Sequence, residues 1–144
     1  MSRIGLSVVL VIVVAAALVS AAPAAIKIAK IRFDPPGADT GSNSSLNAEW
    51  IILRNTGNSR KAVGGWRIRD RAGHVYVFPA GARIGAGDTV KIHTGNGSDS
   101  AHHRYWDQDN YVWNNDGDRA TLKKPNGRVA DTCSYSGSGS SKVC

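Results

Sequence analysis

From Ile26 onward the hydrophobic positions alternate with polar ones, and no stretch of about 11 residues repeats them at helical spacing. Ile26, Ile28, Ile31 and Phe33 predict a first strand, stopped by the breaker Asp34-Pro35-Pro36-Gly37. Residues 38–47, rich in Gly, Ser and Asn, read as a loop. The run from Glu49 to Arg54 is apolar without interruption at Trp50-Ile51-Ile52-Leu53, which predicts a second strand buried on both faces. In Gly65–Asp70, Trp66 and Ile68 fall on one face, Arg67 and Arg69 on the other. His74–Pro79 follows the turn Arg71-Ala72-Gly73, and Thr89–His93 turns Val90 and Ile92 inward and Lys91 and His93 outward. A long polar loop runs from Gly95 to about Tyr111. Arg119–Lys123 and Arg128–Cys133 then flank Pro125-Asn126-Gly127, whose Asn-Gly pair is a hairpin signal. About seven short strands with turn chemistry between them predict an all-β, immunoglobulin-like antiparallel sandwich.

The first 24 residues follow another logic. Arg3 precedes an apolar stretch from Ile4 to Val19, and small residues follow from Ser20 to Ala25, the arrangement of a signal peptide over 1–24. Cleavage fits after Ala21, Ala22 or Ala24. A retained membrane helix is the competing reading, but Lys27 and Lys30 alternate with isoleucines as in a strand rather than clustering as a stop signal. Export predicts a secreted or cell-surface protein. It also predicts that Cys133 and Cys144 form a disulfide, tying the Gly/Ser-rich tail 136–144 back onto its own strand. The domain proper spans 26–135.

Composition narrows the function classes. A chain of 144 residues has room for one modest domain beyond such a segment, which excludes a second catalytic domain. Lys and Arg number 18 against 11 Asp and Glu, a net charge of +7, and this excess favours anionic partners.

Five blocks occur in a fixed order: Glu49-Trp50 to Gly57, Gly65-Trp66 to Asp70, Tyr76 to Pro79, Thr89 to Gly95, and Val112-Trp113-Asn114-Asn115-Asp116-Gly117-Asp118 to Leu122. Together they strongly resemble the lamin-tail domain family, over about Ile26 to Tyr135. The resemblance implies an immunoglobulin-like sandwich and transfers no general catalytic residue set. In bacteria, domains like this occur in exported proteins, alone or beside hydrolase and nuclease domains. Trp50, Trp66 and Trp113 are expected to be core aromatics, and Gly57, Gly65, Gly95 and Gly117 to serve turns or close backbone approach.

Four constellations carry candidate chemistry. Asp70-Arg71-Ala72-Gly73-His74 looks like a loosened Asp-Arg-Gly-His motif of metal-dependent endonucleases, with an inserted alanine and no downstream helix to present a metal ligand. Asp107, Asp109, Asp116 and Asp118, with Asn114 and Asn115, supply oxygen ligands for an irregular Ca2+ site, although they fail the twelve-residue calcium loop. His93, His102, His103 and Asp107 could gather imidazoles, but adjacent loop histidines lack a third placed ligand. The basic residues are the fourth. Arg67 and Arg69 share an outward strand face that Arg71 extends, Arg54, Arg60 and Lys61 flank the preceding turn, and Lys91 and Arg119 take other outward positions. Such a row could track the phosphates or carboxylates of nucleic acid, a cell-wall polymer or an acidic glycan.

The expectation is therefore a non-enzymatic binding or adhesion module without a cofactor, for a macromolecular and anionic partner. A small metal-dependent nuclease or hydrolase built on Asp70 and His74, and a purely structural module, are the alternatives.

Overall fold

The computed structural model describes residues 15–17 and 25–144, so most of the signal-peptide segment 1–24, with its cleavage positions, lies outside the described residues. The elements in chain order are β1 (Ile26–Arg32), α1 (Asn43–Ala48), β2 (Trp50–Asn55), β3 (Lys61–Ala62), β4 (Arg67–Arg69), β5 (Val75–Val77), β6 (Arg83–Ile84), β7 (Thr89–His93), β8 (His103–Tyr105), β9 (Asp118–Lys123), β10 (Val129–Tyr135) and β11 (Ser141–Val143). A five-stranded sheet of order β11-β1-β2-β7-β8 faces a four-stranded sheet of order β10-β9-β4-β5, and β3-β6 form a small ribbon beside them. The fold is an immunoglobulin-like sandwich, and the seven strands expected from alternation are β1, β2, β4, β5, β7, β9 and β10. No helix among the described residues is long and apolar enough to cross a membrane.

The core lies between the two sheets. Ile31, Ile51 and Leu53 from the first sheet meet Ile68, Ala120 and Leu122 from the second, all fully buried, and Trp113 and Phe33 fill the ends. Alternation puts every second residue there because successive side chains of a strand point to opposite faces.

Three local expectations are corrected. The segment read as a loop before Glu49 contains α1, a single turn and a half capped by the Ser42 hydroxyl, which accepts from the Ser45 amide. It is too short to show a repeating apolar face, and it buries only Leu46. The polar loop after Gly95 contains β8, which pairs parallel to β7 with Lys91 opposite His103 and His93 opposite Tyr105. Strand β2, expected to be buried on both faces, is buried on one: Ile51, Leu53 and Asn55 point inward, while Trp50, Ile52 and Arg54 point outward. Trp50 is therefore no core residue. Trp66 and Trp113 are, and Trp106, from the polar loop, joins them.

The hairpin between β9 and β10 forms as expected, with a detail the Asn-Gly pair does not convey. Gly127 donates to the Lys124 carbonyl, Lys124 donates to the Arg128 carbonyl, and Gly127 alone takes a left-handed φ of 84°. This is a three-residue loop closed by a glycine bulge, with Pro125 at the position where its fixed φ suits the turn.

The disulfide between Cys133 and Cys144 forms and links the tail back to β10, while the tail itself adds a strand to the other sheet. β11 pairs with β1, so the bridge joins the edge of the four-stranded sheet to the edge of the five-stranded one. The Cys144 amide also donates to the Ala29 carbonyl. Replacing both cysteines by serine is expected to lower unfolding free energy by about 2 kcal/mol, the low end for a bridge closing a short loop. Equilibrium denaturation of the oxidised protein and the double variant measures it, and equal stabilities would mean that β11 holds its place without the bond.

Candidate polyanion interface

The outward positions of the five-stranded sheet form three rungs. Ser141, Arg32, Trp50, His93 and Tyr105 are cross-strand neighbours in the first; Val143, Lys30, Ile52, Lys91 and His103 in the second; Lys27, Arg54 and Thr89 in the third. Lys30 and Lys91 both lean over the Trp50 ring, their ammonium groups 6.0 and 4.6 Å from its centroid. A cation over an indole face is attracted by the ring quadrupole, so Trp50 holds two like charges side by side. Lys27 pairs with Asp131 at 3.9 Å; among the described residues, Lys30, Arg32, Arg54 and Lys91 have no carboxylate within salt-bridge distance.

The aromatic edge of this face is a closed unit. The Asn47 carbonyl can only accept, so the 2.8 Å bond to His93 Nδ1 places a proton there. Neutral His93 then accepts at Nε2 from His103 Nδ1, 2.9 Å away. Their planes differ by 16° with centroids 5.2 Å apart, so the two rings lie edge to edge along that bond. Two ligands of one metal would instead aim both lone pairs at a third point. Burial, together with the charges of His103 and Lys91, lowers the His93 pKa despite the bond to Asn47. Tyr105 packs parallel to His93 at 5.0 Å, and its ring lies so close to Gly97 that a Cβ there would not fit.

The residues expected to form one basic row are divided by the fold. Arg67 and Arg69 do share the outer face of the four-stranded sheet, and Arg71 sits exposed on the turn beyond them. Arg119 and Lys123 of β9 join them, which spacing alone could not reveal. Arg54 lies on the opposite sheet, and Lys61 on β3, where it lines a cavity of about 240 Å³ with Lys124, Arg128 and Trp66. Neither belongs to the Arg67 row.

The acidic candidates are largely spent on the backbone. Asp118, fully buried, accepts from the amides of Arg71, Arg119 and Asn114. Asp107 and Asp109, in the loop after β8, and Asp116, in the turn before β9, stay exposed, and among the described residues no three His, Cys, Asp or Glu side chains gather to hold a metal ion. The expected Ca2+ ligands are thus not brought together. Asp70 is buried at the β4–β5 turn, its Oδ1 accepting from the amides of Gly73 and His74 at 2.7 Å and its Oδ2 2.6 Å from His74 Nδ1. The histidine and carboxylate that resembled a nuclease motif act as a turn clasp. Asp70→Ala is expected to cost about 2 kcal/mol or more, because two amides lose their acceptor in a buried site; urea denaturation measures this, and an unchanged midpoint would contradict the clasp.

One buried acid had no signal in the sequence beyond its place before Trp50. Glu49 is fully buried, and its Oε1 accepts from the Thr94 hydroxyl and the amides of Val112 and Trp113, fastening the long loop to β2. Its Oε2 has no hydrogen-bond partner among the described residues. Burial pushes its pKa up to about 7, against the lowering effect of those three donors.

With this geometry in view, comparison with known proteins gives the class. The sequence pattern of the lamin tail domain matches residues 19–137, and the chain belongs to that family. No protein of curated description is similar enough to match it.

Proposed function

We propose that this protein is an exported, non-enzymatic lamin tail domain that holds an anionic macromolecule against the outer face of its five-stranded sheet. One observation carries the reading: Lys27, Lys30, Arg32, Arg54 and Lys91 occupy outward positions of three adjacent strands, and among the described residues only Lys27 of these five has a carboxylate, Asp131, within salt-bridge distance. Lys27 and Arg54 stand directly opposite one another. Like charges in that relation destabilise a sheet, and a surface shaped only for solubility would intersperse the signs. Export is supported by the Cys133–Cys144 bridge, since disulfides persist in oxidising compartments.

The test is binding of the purified protein to duplex DNA, a sulfated glycan and an anionic cell-wall polymer across a salt series, with divalent ions present and nucleic-acid integrity read in the same samples. Saturable binding that weakens steeply with salt, with the nucleic acid intact, is the expected result. Absence of binding to all three would leave a structural module. Divalent-dependent cleavage lost in His74→Ala would replace the reading with a nuclease.

A further inference from the structure

We infer that the domain is bivalent and bridges two nucleic-acid duplexes, one on the outer face of each sheet. The first site is the five-stranded face and rests on the reading above; the second is the four-stranded face and has its own observations. Its outward positions are Arg67 and Arg69 on β4, Arg119, Thr121 and Lys123 on β9, and Val129, Thr132 and Ser134 on β10, flanked by the exposed Val75 and Val77. No carboxylate stands among them. Arg67 lies directly opposite Lys123, repeating on this sheet the like-charge pairing of Lys27 with Arg54.

The two faces are separate sites rather than one wrapped surface. They point in opposite directions across a sandwich whose sheets pack about 10 Å apart. Two edges between them carry acid, where Asp131 pairs with Lys27 and Asp99 with Arg104. Asp131 sits where β10 meets β1, accepting from the Ile28 amide. Asp99 and Asp107 line a cavity of about 300 Å³ where β5 meets the β8 side. A duplex, with a persistence length of about 50 nm, is too stiff to bend from one face around to the other, so each face takes its own duplex.

The chemistry of the faces favours a duplex. Unstacked bases would need open ring faces to stack on, whereas Trp50 lies under two lysines and the Tyr105 ring is packed against His93 and close to Gly97. The four-stranded face has no ring among the outward positions of its strands. A flat face of guanidinium, ammonium and hydroxyl groups addresses backbone phosphates, which a double helix presents outward while its bases are paired away.

The experiment uses one short duplex on beads and a second, fluorescent duplex in solution, with purified protein as the bridge and sedimentation confirming that it is monomeric. Capture of the second duplex, with two duplexes bound per protein at saturation, is expected. Arg67→Ser/Arg69→Ser/Arg119→Ser should keep binding to one duplex yet reduce capture at least tenfold, and Arg32→Ser/Arg54→Ser should do the same from the other side. Should the triple variant fail to fold by circular dichroism, Arg119→Ser/Lys123→Gln reports on the same face. A saturation ratio of one, capture that survives both face variants, capture confined to protein dimers, or capture of single strands or a sulfated glycan in preference to duplexes would each overturn the proposal. Loss of all polyanion binding would instead strike the underlying reading.

Discussion

Reversing Lys30 and Lys91 together to glutamate is expected to lower affinity for an anionic polymer at least 100-fold at the five-stranded face, leaving the binding that Arg67, Arg69, Arg119 and Lys123 support. The two ammonium groups stand over one indole and flank Ile52 in a single rung. Each lost charged contact removes roughly 1.5 kcal/mol, and tenfold in affinity corresponds to about 1.4 kcal/mol. Losing two phosphate contacts should also make the slope of log affinity against log salt shallower by about 2. A titration of duplex against wild type and variant at several salt concentrations reads both quantities. Lys30→Gln/Lys91→Gln separates charge from packing, because glutamine retains much of the aliphatic stem over Trp50; it should lose the contacts without adding repulsion, and fall between the two. Unchanged affinity in the reversed variant would remove this face from the site.

The second large effect concerns stability and pH. Glu49 has an ordinary carboxyl pKa when the chain is unfolded and one pushed up to about 7 by burial when it is folded. The folded state therefore holds this proton more tightly than the unfolded one. Its contribution to stability is fully present below about pH 4.5, declines as pH rises, and is gone above about pH 7, a change of roughly 3 kcal/mol at 1.36 kcal/mol per unit. His93 works in the opposite sense: with its pKa lowered, folding disfavours its protonation, and stability falls as the solution is acidified through the histidine range. Comparing wild type with Glu49→Gln isolates the carboxyl. Glutamine keeps a carbonyl oxygen for the Thr94, Val112 and Trp113 donors and cannot ionise, so the difference in unfolding free energy should grow in glutamine's favour from pH 4.5 to pH 8. Glu49→Ala should be destabilised at every pH, since two backbone amides and a hydroxyl lose their acceptor. Parallel pH profiles for wild type and Glu49→Gln would show that the carboxyl titrates normally.

Trp50 shows why part of the interface was hard to foresee. Within Trp50-Ile51-Ile52-Leu53 every residue is apolar, so the period-two signal that reveals two faces is absent, and the tryptophan reads as core. Its outward direction follows from register, which places it beside Arg32 and His93. The same blindness affected β8: three residues, His103–Tyr105, are too few for a pattern, and they become a strand only because β7 offers them an unpaired edge. Arg67 and Arg69 needed no partner to be placed together, as alternation within one short strand suffices. Their companionship with Arg119 and Lys123 depends on β9 crossing from more than forty residues away in sequence to lie beside β4.

By itself the sequence determined the fold class, the strands that build the sandwich, the hairpin at Pro125-Asn126-Gly127, the outward direction of Arg67 and Arg69, and a net positive charge. These are local properties, encoded in side-chain period, turn residues and composition. The tertiary structure alone decided which cations share a face, that Arg54 and Lys61 stand apart from Arg67, that Asp70 and Asp118 are spent on backbone amides, and that the disulfide joins two sheets. Those are properties of pairing between distant segments. Strand order and register fix them, and because a shift of one residue exchanges the two faces of a strand, only the assembled sheets determine what meets what.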